Sequence, residues 1–209
     1  MIALGPSANL PPHIWLELPV LSRSLLTLAI LTLPLAACDR EAPDEAQQQG
    51  ALAGDKAGLA GEIDRSRAGE LMPAVLVSAP DGTQLNLGAL QGQPVLLNLW
   101  ATWCIPCVRE MPMLDELADE YGDSLRVVTV SQDKHGKADK VEAFFERLGF
   151  ANLEPWLDPD NKLDYAISDG ALPATVLYDA SGQEVWRVVG EYDWSSAAAR
   201  EAIAEGVGT

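Results

Sequence analysis

The succession of apolar segments in this 209-residue chain predicts an α/β fold with a central mixed β-sheet flanked by helices. Two stretches, "QPVLLNLWA" (93–101) and "SLRVVTVSQD" (124–133), are continuous apolar runs of the kind that form strands buried on both faces. Each is followed by a segment of helical period, and the order strand, helix, strand, helix implies parallel pairing through right-handed crossovers. A third stretch, "ATVLYDASGQEVWRVVG" (174–190), holds two strands about a Ser181-Gly182 turn and adds an antiparallel hairpin, expected at a sheet edge.

The elements follow in order. "AVLVSAPDGTQLNLGAL" (74–90) alternates apolar residues around Asp81-Gly82 and reads as an N-terminal β-hairpin. After the first buried strand, "MPMLDELADEYG" places Met113, Leu114, Leu117, Ala118 and Tyr121 on one helical face, with Gly122 as the stop. After the second, Val141, Phe144, Phe145 and Leu148 recur at helical spacing and Gly149 closes the helix. Residues 149–171 are an inserted linking segment. A last helix starts near Asp193 or Ser195, either of which can cap it.

Composition bounds what such a domain can do. With 48% hydrophobic and 22% charged residues, the chain suits one globular domain with an appendage. A formal net charge of −17 excludes a nucleic-acid binder, whose affinity rests on lysine and arginine meeting phosphate. It leaves solubility, or a basic protein partner, as the use of the acidity.

The appendage is N-terminal. After Arg23, "SLLTLAILTLPLAACDR" is an apolar run that ends in small residues, Cys38 and Asp39. It falls short of the about 20 apolar residues a membrane span needs and has the build of a secretory signal. Leu35-Ala36-Ala37-Cys38 resembles a bacterial lipobox, which implies lipidation of Cys38 after cleavage. By the same resemblance, Asp39 implies retention at the periplasmic face of the inner membrane. Each buried methylene of the lipid adds about 0.8 kcal/mol of membrane affinity. Residues 1–22 contain prolines and Glu17 but no lysine or arginine, so translation is expected to start near Val20 or Leu21. The expected organisation is a signal peptide over 1–38, a tether over 39–70 and a domain over 71–209. The tether is rich in Ala, Gly, Gln and charges, too poor in large apolar residues to offset ordering entropy, and reaches roughly 30 Å.

Chemistry concentrates in "WATWCIPCVREMP" (100–112), where two of the three cysteines, Cys104 and Cys107, stand one helical turn apart. A structural zinc site needs four ligands, and this neighbourhood supplies two; His13 lies in the leader and His135 in a polar loop. The pair falls where the first buried strand gives way to a helix. There the N–H groups and the positive end of the helix dipole favour a Cys104 thiolate, and Cys107 lies within disulfide reach on the buried side. Attack by Cys104 on a disulfide and resolution by Cys107 is thiol-disulfide exchange. Pro106 lacks an N–H where the first helical turn needs none.

"NLWATWCIPCVREMP" resembles the active site of the thioredoxin superfamily, in its TlpA/ResA-like branch of exported, membrane-attached thiol-disulfide oxidoreductases, and the likeness extends over about 72–207. It implies a thioredoxin-like fold, with Cys104 as nucleophile, Cys107 as resolving thiol, Trp100 and Trp103 lining the site, and Glu110 at an acidic position common in the branch. It implies no cofactor beyond the redox-active Cys104–Cys107 disulfide. Leu172-Pro173, ahead of an apolar strand, resembles the loop that bears the superfamily's cis-proline, where backbone at Leu172 can pair with an extended substrate segment.

Two departures stand out. Asn98 occupies the strand position where thioredoxin has a buried carboxylate, so Cys107 needs another proton acceptor, Glu110 or water. "GALP" has one residue more than the usual glycine-x-proline. Ile105 and Pro106 carry no charge, whereas strong oxidants of the superfamily place a thiolate-stabilising histidine there, and this points to a reductant. The expected partners are protein dithiols and disulfides, namely apocytochrome c or copper-site cysteines, and a transmembrane thiol reductase as electron donor. A copper(I) metallochaperone and a non-catalytic binding lipoprotein are the other readings the residues allow.

Overall fold

In the computed structural model of the protein, which describes residues 61–208, the centre of the sheet is β4 (Val95–Trp100), whose six residues are all buried. It runs parallel to β5 (Arg126–Ser131), with Leu97 opposite Val128, and antiparallel to β7 (Ala174–Tyr178), with Leu97 opposite Val176. Beyond β7 lie β8 (Glu184–Val189) and the two-residue β1 (Ile63–Asp64), both antiparallel to their neighbours. Beyond β5 lie β6 (Trp156–Leu157), then β2 (Leu76–Ser78) and β3 (Gln84–Asn86), giving the order β1-β8-β7-β4-β5-β6-β2-β3. The fold is thioredoxin-like, a central mixed sheet with flanking helices.

Alternation along β4 divides the core. Leu96 and Trp100 face the helices α1 (Ile105–Tyr121), α2 (Ala138–Leu148) and α4 (Ala197–Val207), meeting Met111, Leu114, Phe144, Phe145 and Ile203. Val95, Leu97 and Leu99 face the other way, toward Val77 and Leu87 of the hairpin region and Leu163 and Ile167 of the short helix α3 (Lys162–Ile167). Each such fully buried side chain is worth about 1.5–3 kcal/mol in removal from water. Trp186 is buried without penalty for its indole, which donates to the Ala202 carbonyl at 2.9 Å and ties β8 to α4. At Gly206 of α4 a Cβ would come within 2.6 Å of Leu177 Cδ2, so any larger residue there would have to displace that buried side chain for the helix to lie this close to the sheet.

Four expectations are corrected. The domain begins earlier than residue 71: Gly61 N–H donates to the Glu191 carbonyl at 2.7 Å, Ile63 pairs with Val188 and packs on the core, and 63–64 add an edge strand to the sheet. Polar composition hid an edge strand whose single apolar anchor is Ile63. The 174–190 hairpin is not at the edge, because β7 pairs with β4 and β1 covers β8. Leu148 is 42% exposed; Gly149, in the left-handed region at φ 65°, reverses the chain so that Phe150 reaches Phe145, with ring centroids 5.2 Å apart. The inserted segment 149–171 contains β6 and α3. The last helix is capped by Ser196, whose Oγ accepts the Ala199 N–H at 3.1 Å, while Asp193 binds the turn before it. The signal, Cys38 and the tether up to residue 60 lie outside the described residues.

Phe144, packed on Trp100 with centroids 4.9 Å apart, and Leu148 give opposite expectations. Phe144→Ala should lower the unfolding free energy by about 3–5 kcal/mol through loss of transfer energy and an unfilled cavity. Leu148→Ala should cost less than about 1 kcal/mol. Urea denaturation of both variants checks the assignment of the α2 face.

Candidate active site

Trp100 ends β4 and a short turn leads into α1. The turn is held at three points: Cys104 N–H donates to the Ala101 carbonyl at 3.1 Å, Gln132 N–H to the Trp100 carbonyl at 2.8 Å, and Thr102 donates through both N–H and Oγ to the Asp133 carboxylate, each at 2.8 Å. Asp133 is buried at the end of β5 and also accepts the Ser131 hydroxyl at 2.8 Å. The loop that presents the cysteines is thus clasped by a carboxylate from the neighbouring strand.

Cys104 is the N-cap of α1, with extended backbone at φ −87° and ψ 101°, and its Sγ accepts the Cys107 N–H at 3.3 Å. Pro106 lies in the first helical turn. The two sulfurs are joined in a disulfide, with Cα atoms 5.3 Å apart. A thiolate released at Cys104 would keep the same N–H donor and the positive end of the helix dipole, which favour the charged form. Cys104 is 5% exposed and Cys107 1% exposed, whereas Trp103 and Ile105 beside them are 67% and 72% exposed. The redox bond lies in an apolar surface, its outer sulfur just reachable. Two surface cavities, of about 290 and 370 Å³, are lined by residues remote in sequence from the cysteines and from Leu172 and Pro173.

The Leu172–Pro173 peptide is cis. Leu99 pairs with Ala174 across β4 and β7, so Pro173 stands at the end of the sheet from which the cysteine loop emerges. Pro173 is buried, its carbonyl accepting the Gly190 N–H at 2.8 Å, and half-buried Leu172 packs against the core cluster that includes both cysteines. Trp100 is wholly buried against Phe144 and Phe145, because alternation along β4 turns it into the core, and it belongs to the same cluster as both cysteines.

Beneath the cysteines lies Glu110, 1% exposed and one helical turn after Cys107 on the buried face of α1. Burial pushes its pKa up to about 8, against the pull of the Tyr192 N–H, which donates to Oε1 at 2.7 Å. The Trp194 indole and the Asn98 side chain lie against the carboxyl and pull the same way, without the alignment of full hydrogen bonds, and the nearby Glu191 charge pushes it further up. Asn98 is itself held by donation to Thr175 Oγ1 at 2.9 Å. Asn98 Oδ1 and Glu110 Oε2 both lack a hydrogen-bond partner among the described residues. The structure therefore brings together Cys104, Cys107, Asn98 and Glu110, flanks them with Trp103, Ile105 and Pro106, and sets Leu172 and Pro173 at the same end of the sheet.

Asp133, Tyr192 and Trp194 were not singled out in the sequence. An acid directly after a buried parallel strand was the available signal for Asp133, since sites collect at the carboxyl ends of such strands. For the contacts of Tyr192 and Trp194 with α1 no sequence signal exists.

A helix-capping cysteine pair beside a buried acid, on this fold, defines a thiol-disulfide oxidoreductase. Residues 67–203 match the Redoxin family model, and the chain belongs to that family. It is similar to the thiol-disulfide oxidoreductase ResA of Bacillus thuringiensis (strain Al Hakam), 29% identical over 135 residues that cover 64% of this chain and 76% of the relative. Its fold is similar to that of a thiol:disulfide interchange protein DsbE from Chlorobium tepidum, with a TM-score of 0.60, 22% identity, and coverage of 68% of this chain and 98% of that one. An exposed lipoprotein thioredoxin of Streptococcus pneumoniae strain TIGR4 superposes with a TM-score of 0.53 at 27% identity, covering 61% and 96% of the two chains. Within the thioredoxin superfamily the chain is TlpA/ResA-like.

Glu110 ties stability to pH. Its carboxyl titrates near 8 when folded and near 4.5 when exposed, so between these values the folded state keeps a proton that the unfolded state has released. The group's contribution is fully present below about pH 4.5 and is lost as pH rises to about 8. Glu110→Gln keeps the shape and cannot titrate. Its stability relative to the parent should therefore rise by on the order of a few kcal/mol between pH 5 and pH 8, at about 1.4 kcal/mol per unit. Urea denaturation at the two pH values measures this; a pH-independent difference would contradict the burial of a protonated acid.

Proposed function

We propose that this oxidoreductase works as a reductant of protein disulfides, anchored by a lipid on Cys38 to the periplasmic face of the inner membrane. The observation that carries the direction is the pair of neutral residues, Ile105 and Pro106, between the cysteines: no charged side chain within the motif stabilises a Cys104 thiolate, so the dithiol gives up its electrons readily. The signal ending in Leu35-Ala36-Ala37-Cys38 supports the anchor, and the pneumococcal relative is itself described as a lipoprotein. The exposed apolar flank of Trp103 and Ile105 supports a protein rather than a small-molecule substrate.

In the reaction, the Cys104 thiolate attacks one sulfur of the substrate disulfide, forming a mixed disulfide and releasing the first substrate thiolate. Cys107 loses its proton and attacks Cys104 Sγ, releasing the second, and the enzyme disulfide forms as the substrate gains two electrons. Glu110 is the proton acceptor for Cys107 in this reading: with a pKa pushed up to about 8 it is protonated in most molecules at neutral pH, and the ionised fraction, one helical turn from Cys107, is the form that takes the thiol proton. Electrons return from a transmembrane thiol reductase, and the substrates are apocytochrome c or copper-site cysteines.

Reduction of insulin should be catalysed by the parent and abolished in Cys104→Ser, and Cys107→Ala should accumulate mixed disulfides with substrate proteins in cells. Tight copper(I) binding without turnover would overturn the enzyme reading in favour of a metallochaperone.

A further inference from the structure

Arg187 is the one lysine or arginine buried among the described residues, and the redox chemistry makes no use of it. It projects from β8 toward the sheet face that carries α3. Its Nε donates to Glu184 Oε1 at 2.7 Å and its Nη2 pairs with Glu184 Oε2, both residues being buried, while Glu70 stands 4.0 Å away at the surface. The remaining nitrogen, Nη1, donates at 2.6 Å to the carbonyl of Ile167, the last residue of α3. That carbonyl is one that a helix cannot satisfy internally.

The next residues, 168–173, are the loop that ends in Leu172 and Pro173. Three positions after Arg187, Gly190 donates to the Pro173 carbonyl at 2.8 Å. Strand β8 and the residue that follows it thus grip both ends of the loop, Arg187 at the start and Gly190 at the finish. Asp164, one turn back on α3, binds within it by accepting the Ser168 hydroxyl and the Gly170 N–H, the latter at 3.1 Å. A helix of six residues has little stability of its own, so the loop's position depends on such ties. A buried ion pair is on balance no better for stability than an apolar pair of equal volume, so its use lies elsewhere.

We propose that Arg187 is a positioning residue for substrate recognition: by holding the Ile167 carbonyl it sets the Leu172–Pro173 loop at the height where a protein substrate docks beside Cys104. The proposal rests on the reading of that loop as the docking strand of a disulfide reductase.

The test is the paired substitution Glu184→Leu with Arg187→Met in the full chain, which removes both buried charges and fills the space. Asp164→Ala is a second variant that frees the same loop from a partly exposed position. In each, amide exchange at Gly170, Ala171 and Leu172 should quicken by about tenfold, the worth of one hydrogen bond to a charged group, with the amides of Leu96 to Leu99 unchanged. KM for insulin should rise by about the same factor with kcat held within about twofold. Reduction of a small aromatic disulfide and the potential against glutathione should stay as in the parent. Unchanged exchange at residues 170–172 in the paired Glu184→Leu, Arg187→Met variant overturns the proposal, whatever Asp164→Ala does, as does an equal fall in turnover of insulin and the small disulfide. Should the parent itself leave insulin intact, the docking reading fails, and the exchange data alone decide whether Arg187 positions the loop.

Discussion

The site depends on one constraint: a strand buried on both faces has to end where a helix begins. The six residues of β4 can be sheltered only if β5 and β7 pair on either side and helices cover both faces. Once that strand is central, its exit is fixed at the carboxyl end of the sheet, and the short turn from Ala101 delivers Cys104 to the unpaired N–H groups of α1. The same pairing brings Pro173 alongside, because Ala174 is in register with Leu99. Thiol chemistry here is a consequence of how one apolar strand is buried.

The second determinant is a carboxyl kept out of water. Glu110 shares the buried face of α1 with Cys107, and its cost is offset by the Tyr192 N–H and by remaining protonated. Its partner Asn98 is pinned by Thr175 of β7, so residues from β4, α1, β7 and the 190–194 segment meet in one polar knot beneath the disulfide. At the surface the same segment is joined to α1 by Arg109 and Glu191 at 2.7 Å, an exposed pair of the kind worth only about 0–1 kcal/mol. Cohesion between α1 and this segment therefore rests on the buried contacts.

How far the sequence reveals this follows from range. Local signals carried the strands at 95–100 and 126–131, the 84–86 hairpin arm, the glycine stops at 122 and 149, and the redox motif, because apolar period and capping chemistry act within a few residues. The opening edge strand was hidden because two residues with one apolar side chain have no period. β6 and α3 were hidden because they are too short for one. The depth of Trp100 has a different cause: alternation along β4 turns its ring inward beneath the cysteines, which its motif neighbours do not reveal. The Asp133 clasp, the Tyr192 contact and the Arg187 grip join residues between 20 and 82 positions apart, and pairing at that range is set by the assembled sheet.

The equilibrium potential of the Cys104–Cys107 couple against glutathione tests the central claim most directly, because it weighs the stabilisation of the reduced pair without reference to any substrate. A helix-capping cysteine with only Ile105 and Pro106 between it and its partner predicts a value near the about −270 mV of reducing members of the superfamily. A value near the about −120 mV of strong oxidants would contradict the account, since it would require a stabilised thiolate for which the motif supplies no charge.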